Sequence, residues 1–441
     1  MARMSAAHRL VLVLVAIIVL AGVVILGLNV AGTGIGLESD ARGSGDPQPV
    51  ESEPSAEASP DLSAQPSIPS EAEAQAILAE IQDEVIGIRG LEAADIGPAQ
   101  IISRDELAVE LQQLFNEEYP TEDRERDNIE LRALGLLEAD QDVAELQLQL
   151  LGDQVLGFYD DVEKRMVVVS DTGLDVEARI TYAHEYTHAL QDAAFGLDSL
   201  QTDAVGEDDR GLARTALIEG DATVTMLAWM LQNLSQSEIL EYFARAEVPD
   251  TSGIPSWMVA QLAFPYDAGL TWTTALAGGD PTSPDYTDVD AAFADPPAST
   301  EQIMELDKWE AREAPDAVEV ADLAAALGDG WEEVDSTPIG QATIEIMLEY
   351  FGVPVAEARA AAAGWGGDRA MVATGPDDAF AVAWRLAWDS PADAAEFLTA
   401  YESVVDDLDF PASVTELPNG ETLVAHASTD ELLQQTVDVA D

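Results

Sequence analysis

Two of the chain's four histidines lie four positions apart, with a glutamate directly after the first, in the segment TYAHEYTHALQD. Residues four apart share one face of an α-helix, so the imidazoles of His184 and His188 can bind a single metal ion. Glu185 lies about 100° around the helix axis, where it can reach a water on that metal but not the metal itself. This is the H-E-x-x-H pattern, which supplies two zinc ligands and a general base.

The alternative is an ordinary amphipathic helix that happens to carry histidines. With four histidines in 441 residues, a chance match is expected in roughly a few per thousand such chains. Apolar neighbours such as Ile180, Ala183 and Leu190 give this helix a buried side. The sequence therefore favours metal binding over coincidence.

A catalytic zinc site needs a third protein ligand and one open position. Glu219, in ALIEGDATV, follows His188 by 31 residues and lies within an apolar helical pattern. A buried carboxylate is costly unless a cation or hydrogen bonds compensate, so Glu219 is the predicted third ligand and a solvated acid is the alternative. Gly220 would let another backbone approach closely. Asp221 could accept a hydrogen bond from a ligating imidazole or be a plain surface charge.

The H-E-x-x-H motif, followed by a helix that carries the segment EGD, resembles the gluzincin class of zinc metallopeptidases, of which thermolysin is a member. The wider context, from about Gly157 to Phe397, resembles a poorly characterised group of bacterial membrane-anchored proteins of neutral zinc metallopeptidase type. The segments that carry this second likeness are GFYD, VVVSD, AHEYTHALQD, ALIEGDAT, FPYDAG, AAFADPPASTEQI, GWGGDR and WDSPADAAEF.

The resemblance implies a zinc-dependent endopeptidase in which His184, His188 and Glu219 hold Zn²⁺. A zinc-bound water would attack the peptide carbonyl. Glu185 would take the proton of that water and pass it to the leaving amine. The implied partner is a peptide or protein substrate.

The resemblance also implies that an extended substrate pairs with a sheet edge near the zinc, and KRMVVVS is the candidate edge strand. A further donor usually stabilises the oxyanion. Tyr266, Arg369 and His426 are candidates for that role, each more often an ordinary core or surface residue, and none belongs to the predicted site.

One departure from the resembled group keeps a second function open. A histidine is expected just after STEQI, but STEQIMELDKW has none. The alternative to an active enzyme is a pseudo-peptidase that acts as a binding or scaffold module at the cell surface. A purely structural metal site is less favoured, because structural zinc usually has four protein ligands and often cysteine.

The composition excludes several classes of function. The chain carries 85 acidic and 19 basic residues, for a formal net charge of −66, and such a surface repels nucleic acid. There is no cysteine, which excludes disulfides, thiolate nucleophiles and cysteine-ligated zinc. Nothing in the sequence indicates the oligomeric state.

The N-terminus carries a membrane signal. Residues 10–28 are nineteen consecutive uncharged, almost wholly apolar positions, long enough for a helix to span a bilayer. Arg3 and Arg9 precede them, so residues 1–9 are predicted to be cytoplasmic and the rest of the chain extracytoplasmic. A retained anchor is favoured over a cleaved signal peptide, because the apolar run is long and no clear A-x-A site follows. Residues 29–70 predict a disordered acidic linker.

The rest of the chain predicts an α+β fold that is predominantly α-helical. Residues 71–154 show helical periodicity throughout and form either an integral helical subdomain, which is favoured, or an inhibitory cover. Residues 155–310 are the predicted zincin-like core, in which the active-site helix lies beside a small sheet that begins with a hairpin around 161–163. Residues 311–441 predict a C-terminal α+β subdomain.

Overall fold

The structure is a computed structural model that describes residues 69–152, 155–170, 173–200, 204–245 and 250–441. The fold is α+β, about 58% helical, with two sheets, which confirms the predicted class. The transmembrane helix predicted at 10–28 and nearly all of the linker predicted at 29–70 lie outside the described residues. Within the described ranges, no helix is both long and apolar enough to cross a membrane.

Helices dominate the part of the chain before the C-terminal sheet. They are α1 (Glu71–Arg89), α2 (Arg104–Glu118), α3 (Thr121–Ala133), α4 (Val143–Gly152), α5 (Val176–Phe195), α6 (Asp208–Asn233), α7 (Gln236–Arg245), α8 (Ser256–Leu276), α9 (Thr287–Ala294), α10 (Thr300–Met304), α11 (Leu306–Ala311) and α12 (Leu323–Leu327). The first two begin at capping boxes, in which Ser70 pairs with Glu73 and Ser103 pairs with Glu106.

Within the helical pattern of residues 71–154, the structure has a break between α3 and α4. Gly135 has a φ of 79°, a left-handed conformation that ends α3 and that glycine adopts without steric cost. Asp142 then starts α4, because its side chain accepts hydrogen bonds from the backbone N–H groups of Ala144 and Glu145, at 3.0 and 3.1 Å.

A three-stranded sheet packs against α5. It comprises β1 (Gln100–Ile102), β2 (Gly157–Asp160) and β3 (Arg165–Val169), in the order β1-β3-β2. The predicted hairpin is confirmed, because β2 and β3 pair antiparallel. The prediction that KRMVVVS is an open edge is wrong, because β3 also pairs parallel with β1 on its other side. Both sides of β3 are therefore occupied, and its near-continuous apolar run fits a buried central strand.

The C-terminal part forms an antiparallel five-stranded sheet in the order β4-β5-β6-β8-β7. Its elements are β4 (Glu332–Thr337), α13 (Gly340–Tyr350), α14 (Val355–Ala362), β5 (Trp365–Thr374), β6 (Phe380–Trp388), α15 (Pro391–Val405), β7 (Ala412–Glu416), β8 (Thr422–Ala427) and α16 (Asp430–Ala440). Strands β5 and β6 pair antiparallel across the segment GPDD, and α15 begins with PADAAEF.

One hydrophobic core joins the three predicted segments of the globular body. Its buried residues run from Leu107 on α2 to Val424 on β8. Buried hydrogen bonds also cross between the segments. The Trp257 indole donates to the Leu136 carbonyl at 2.7 Å, and His426 Nδ1 donates to the Ala133 carbonyl at 2.9 Å. The early helices are therefore packed into the same body as the C-terminal sheet.

Candidate metal centre

Helix α5 carries three polar side chains into the interior of the protein. Asp175 caps the helix by accepting from the Ala178 N–H at 3.0 Å. His184, Glu185 and His188 are buried on it, with exposures of 1%, 4% and 7%. Burial of three such groups side by side is unfavourable unless partners compensate, and the structure supplies those partners.

Glu219 on α6 meets the two imidazoles, as the sequence predicts. His184 Nε2 lies 3.1 Å from Glu219 Oε2 and 3.1 Å from His188 Nε2. The remaining side, from His188 Nε2 to Glu219 Oε2, is 3.5 Å. Ligands of a tetrahedral zinc at ~2.0–2.1 Å lie about 3.3 Å from one another. The three atoms thus fit around one zinc ion with little movement.

The charges of this triangle also fit a cation. Burial would raise the pKa of Glu219, but the neighbouring imidazoles lower it to about 2. Burial would lower the pKa of His188, but the Glu219 carboxylate raises it to about 9. Burial lowers the pKa of His184. The anionic carboxylate therefore stabilises positive charge at the point where the three side chains meet.

A second group of acids that could hold an ion is already neutralised by a lysine. Among the described residues, Glu301, Glu313 and Asp389 form the other close group of three possible ligands. The Lys308 ammonium lies 3.2 Å from Glu301 and 2.5 Å from Asp389, and it also pairs with Glu313. This group is an ion-pair cluster, which leaves the triangle on α5 and α6 as the metal-site candidate in the described part of the chain.

Gln191 orients the second histidine. The Gln191 amide donates to the Ile218 carbonyl at 2.9 Å and to Asp221 Oδ2 at 2.8 Å. Its Oε1 is thereby fixed as the acceptor for His188 Nδ1–H, at 2.9 Å. This contact leaves His188 Nε2 to face His184 and Glu219, the orientation that a metal ligand needs. The sequence suggested that Asp221 accepts a hydrogen bond from a histidine of the triangle. In the structure Asp221 accepts from Gln191, which in turn contacts His188.

Arg89 completes this support from α1. Its Nε donates to Asp221 Oδ2 at 3.0 Å, and both side chains are fully buried. Its Nη2 forms an ion pair with Asp290 at 2.7 Å, and its guanidinium lies 4.4 Å from the centre of the Tyr286 ring. A buried carboxylate needs such a partner, so the last residue of α1 holds the chain of contacts that leads to His188.

Replacing Gln191 by alanine is expected to weaken zinc binding by about 10- to 100-fold, the usual cost of losing an outer hydrogen-bond partner. The reason is that the His188 ring loses the contact that fixes its orientation and tautomer. Zinc affinity would be measured by competition with a chromophoric chelator. Gln112→Ala, at an exposed position of α2, is the control, and equal affinity of the two variants would contradict this role.

Glu185 points to the small sheet and not into the triangle. Its Oε2 accepts from the backbone N–H of Tyr159 on β2 at 3.0 Å. The Tyr159 hydroxyl donates to Asp192 at 2.8 Å, so the Tyr159 side chain lies along α5. Burial raises the pKa of Glu185 to about 8. The acid is therefore held beside the candidate metal site in an environment that favours its protonated form.

A close crossing of α6 and α8 sets the position of Glu219. A Cβ on Gly220 would lie 2.4 Å from the Gly269 carbonyl oxygen. A Cβ on Gly269 would lie 2.3 Å from the Ala216 carbonyl oxygen. The predicted close approach at Gly220 is confirmed. The crossing brings Tyr266 of α8 to the site, where burial and the nearby Glu219 carboxylate raise the pKa of its hydroxyl. Its ring centroid lies 6.2 Å from that of His184.

Gly220→Ala is expected to destabilise the fold by about 1–3 kcal/mol, because the added methyl forces α6 and α8 apart. The same shift moves Glu219, so zinc affinity should fall as well. Thermal unfolding and zinc titration would measure the two effects. Gly87 on α1 has open space around its Cβ position, so Gly87→Ala should raise stability by about 0.5–1 kcal/mol. If Gly220→Ala and Gly87→Ala had the same thermal stability and zinc affinity, the crossing of α6 and α8 would not be tight.

The other two oxyanion candidates lie elsewhere. Arg369 is on β5 and donates to the Ser336 carbonyl at 3.0 Å. His426 is fully buried and bonded to Ala133 and to the Tyr401 hydroxyl, the latter at 3.0 Å. Both side chains belong to strands of the C-terminal sheet. Tyr266 alone of the three lies at the triangle.

Comparison with known proteins reaches only the C-terminal part of the chain. Residues 325–435 match a family described as a domain of unknown function (DUF8575). No curated protein and no solved structure matches the chain. The matched segment spans β4 to β8 and includes none of the three predicted ligands.

Proposed function

We propose that this chain is a membrane-anchored, extracytoplasmic zinc metallopeptidase that hydrolyses peptide bonds, with Glu185 as its general base. The observation that carries the proposal is the triangle of His184, His188 and Glu219, whose sides of 3.1, 3.1 and 3.5 Å suit one zinc ion. The membrane anchor rests on the sequence of residues 10–28.

The number of ligands favours a catalytic over a structural metal. Three side chains of the described residues converge on the triangle, and catalytic zinc sites commonly have three protein ligands, whereas structural sites have four. When bound, zinc would supply a water of lowered pKa and would polarise a carbonyl oxygen.

Side chains of the protein would transfer the proton and orient the metal ligands. Glu185 takes the proton of the attacking water and delivers it to the leaving nitrogen. Gln191 keeps His188 in its ligating tautomer, and the Tyr266 ring lies beside that of His184.

The alternative is a pseudo-peptidase that acts as a binding or scaffold module at the cell surface. The absence of a histidine after STEQI favours it. The structure uses that segment to join elements, since Thr300 of α10 donates its backbone N–H to Asp209 of α6 at 3.2 Å. Glu185 favours the enzyme, because a scaffold has no use for a buried acid beside the metal.

Purified full-length chain is expected to bind one zinc per molecule and to cleave casein. A chelator such as 1,10-phenanthroline should abolish cleavage, and added zinc should restore it, because the reaction needs the ion. Metal analysis and a casein assay would measure both. One zinc per chain without cleavage of casein or of a peptide library would support the scaffold, and absence of bound zinc would refute the zinc enzyme.

A further inference from the structure

A cavity of about 210 Å³ lies between the N-terminal halves of α6 and α8, with α3, α4 and the start of α13 around it. Its walls are mainly apolar, and they include Leu134, Leu150, Leu212, Trp257, Leu262 and Met347. Pockets that take drug-sized ligands have volumes of about 300–1,000 Å³. This cavity is smaller, so its size suits one long side chain.

The cavity and the candidate metal centre are bordered by the same two helices, α6 and α8. Leu212 precedes Glu219 by seven residues on α6, and Leu262 precedes Tyr266 by four on α8. Residues at these spacings share a helix face. At 1.5 Å of rise per residue, seven residues separate the cavity wall from Glu219 by about 10 Å. A peptide bound at the metal could therefore place a nearby side chain in the cavity.

One wall of the cavity is acidic. Asp127, Glu130, Asp208 and Asp335 line it, and Arg126 is the only basic residue among its described lining. Arg126 is already bonded to Asp127 at 3.0 Å. Burial raises the pKa of Glu130, and so do the nearby carboxylates of Asp335 and Asp208. Burial and Asp208 likewise raise the pKa of Asp335. A cation that entered the cavity would relieve this repulsion.

The cavity also offers a hydrogen-bond acceptor. Gln147 of α4 lines it, and the buried Oε1 of Gln147 has no hydrogen-bond partner within the part of the chain that the structure describes. A buried acceptor without a donor is costly. A ligand that brings N–H groups together with positive charge satisfies the acceptor and the carboxylates at once.

We propose that this cavity binds a lysine or arginine side chain of the peptide substrate, with the aliphatic stem against the apolar wall and the charged head at the carboxylates. An extended chain advances about 3.3 Å per residue, so the basic residue lies within about three residues of the cleaved bond. This proposal rests on the proposed peptidase function for the identity of the ligand.

The test compares two peptides that differ only in charge. Acetyl-Ala-Ala-Arg-Ala-Ala-amide and its citrulline counterpart would be titrated by calorimetry into zinc-loaded, full-length Glu185→Gln chain, which should not cleave them. The arginine peptide is expected to bind about tenfold more tightly, since charge-assisted bonds exceed neutral ones. Equal affinities for the two peptides would overturn the proposal.

Two substitutions locate the effect. Glu130→Gln and Asp335→Asn, each added to the same background, keep the side-chain shape and remove a charge, so the preference for arginine should fall in each and vanish when both are combined. Glu396→Gln, at an exposed position of α15, should leave the preference at about tenfold. A preference that survives the combined substitution would place the basic side chain elsewhere and overturn the proposal.

Two further outcomes separate this proposal from the proposed function. The first outcome is that the arginine peptide binds more tightly in a way that depends on Glu130 and Asp335, while the unsubstituted chain hydrolyses no substrate. This outcome would support the cavity proposal and refute the enzyme. The second outcome is that the chain hydrolyses casein but binds the two peptides equally. This outcome would support the enzyme and refute the cavity proposal. Agmatine, an arginine side chain without a peptide backbone, should bind at least tenfold more weakly than the arginine peptide. Equal binding would assign the cavity to a free organic cation and overturn the peptide assignment.

Discussion

Glu185→Gln is expected to lower the rate of peptide hydrolysis by about 10²- to 10⁴-fold, the usual contribution of a general base, while the chain still binds one zinc. The amide keeps the shape of the side chain and can still accept from the Tyr159 N–H, but it cannot take a proton from water. Glu185 is not part of the ligand triangle, so zinc affinity should hardly change. Initial rates with a peptide substrate and metal analysis would test the two halves separately.

The control for that experiment is Glu396→Gln, the same chemical change at an exposed position of α15. It should leave hydrolysis and zinc content unchanged. Full activity in Glu185→Gln would refute the proposed mechanism. Loss of zinc from Glu185→Gln would show that this carboxylate supports the metal and would also contradict the division of roles.

His188→Ala is expected to lose both zinc and hydrolysis. Loss of an outer partner costs about 10- to 100-fold in metal affinity, so loss of a ligand should cost at least about 100-fold. The Glu219 carboxylate would then keep only one imidazole, His184, at 3.1 Å. Competition with a chromophoric chelator would measure the affinity, and circular dichroism would show whether the fold persists.

His426→Gln is the matched control, because His426 is also a fully buried histidine but lies on β8. It should lower thermal stability, since it disturbs the bonds to Ala133 and Tyr401, and should keep one zinc per chain. Stoichiometric zinc in His188→Ala would show that the triangle is not the metal site.

The convergence of His184, His188 and Glu219 was predictable from short stretches of sequence. His184 and His188 follow from helix geometry, and Glu219 follows from the cost of a carboxylate in an apolar helical pattern. Gln191 was within reach of the same reasoning, because it lies three residues after His188 on one helix face. Arg89 was not, because a single arginine at a helix end looks the same in sequence whether it faces solvent or a carboxylate 132 residues away.

The sheets show where periodicity stops being informative. The alternation and apolar runs of residues 157–169 predict two strands and their hairpin, and both are present. Strand order depends on a third partner, and β1 has only three residues, too few to give a pattern. The uninterrupted run MVVV was a sign that β3 is covered on both sides. The break after α3 was also signalled, by the glycine and the acids of LGLLEADQD.

If the chain is the proposed peptidase, the attachment of α1 bears on how its activity could be switched on. If residues 71–154 were a removable propeptide, cutting them away would release a working protease. Instead, Arg89 at the end of α1 pairs with the buried Asp221 behind His188. Limited proteolysis within α1 would leave that carboxylate uncompensated in the interior. We therefore expect clipping there to inactivate the protein, which is the opposite of zymogen activation.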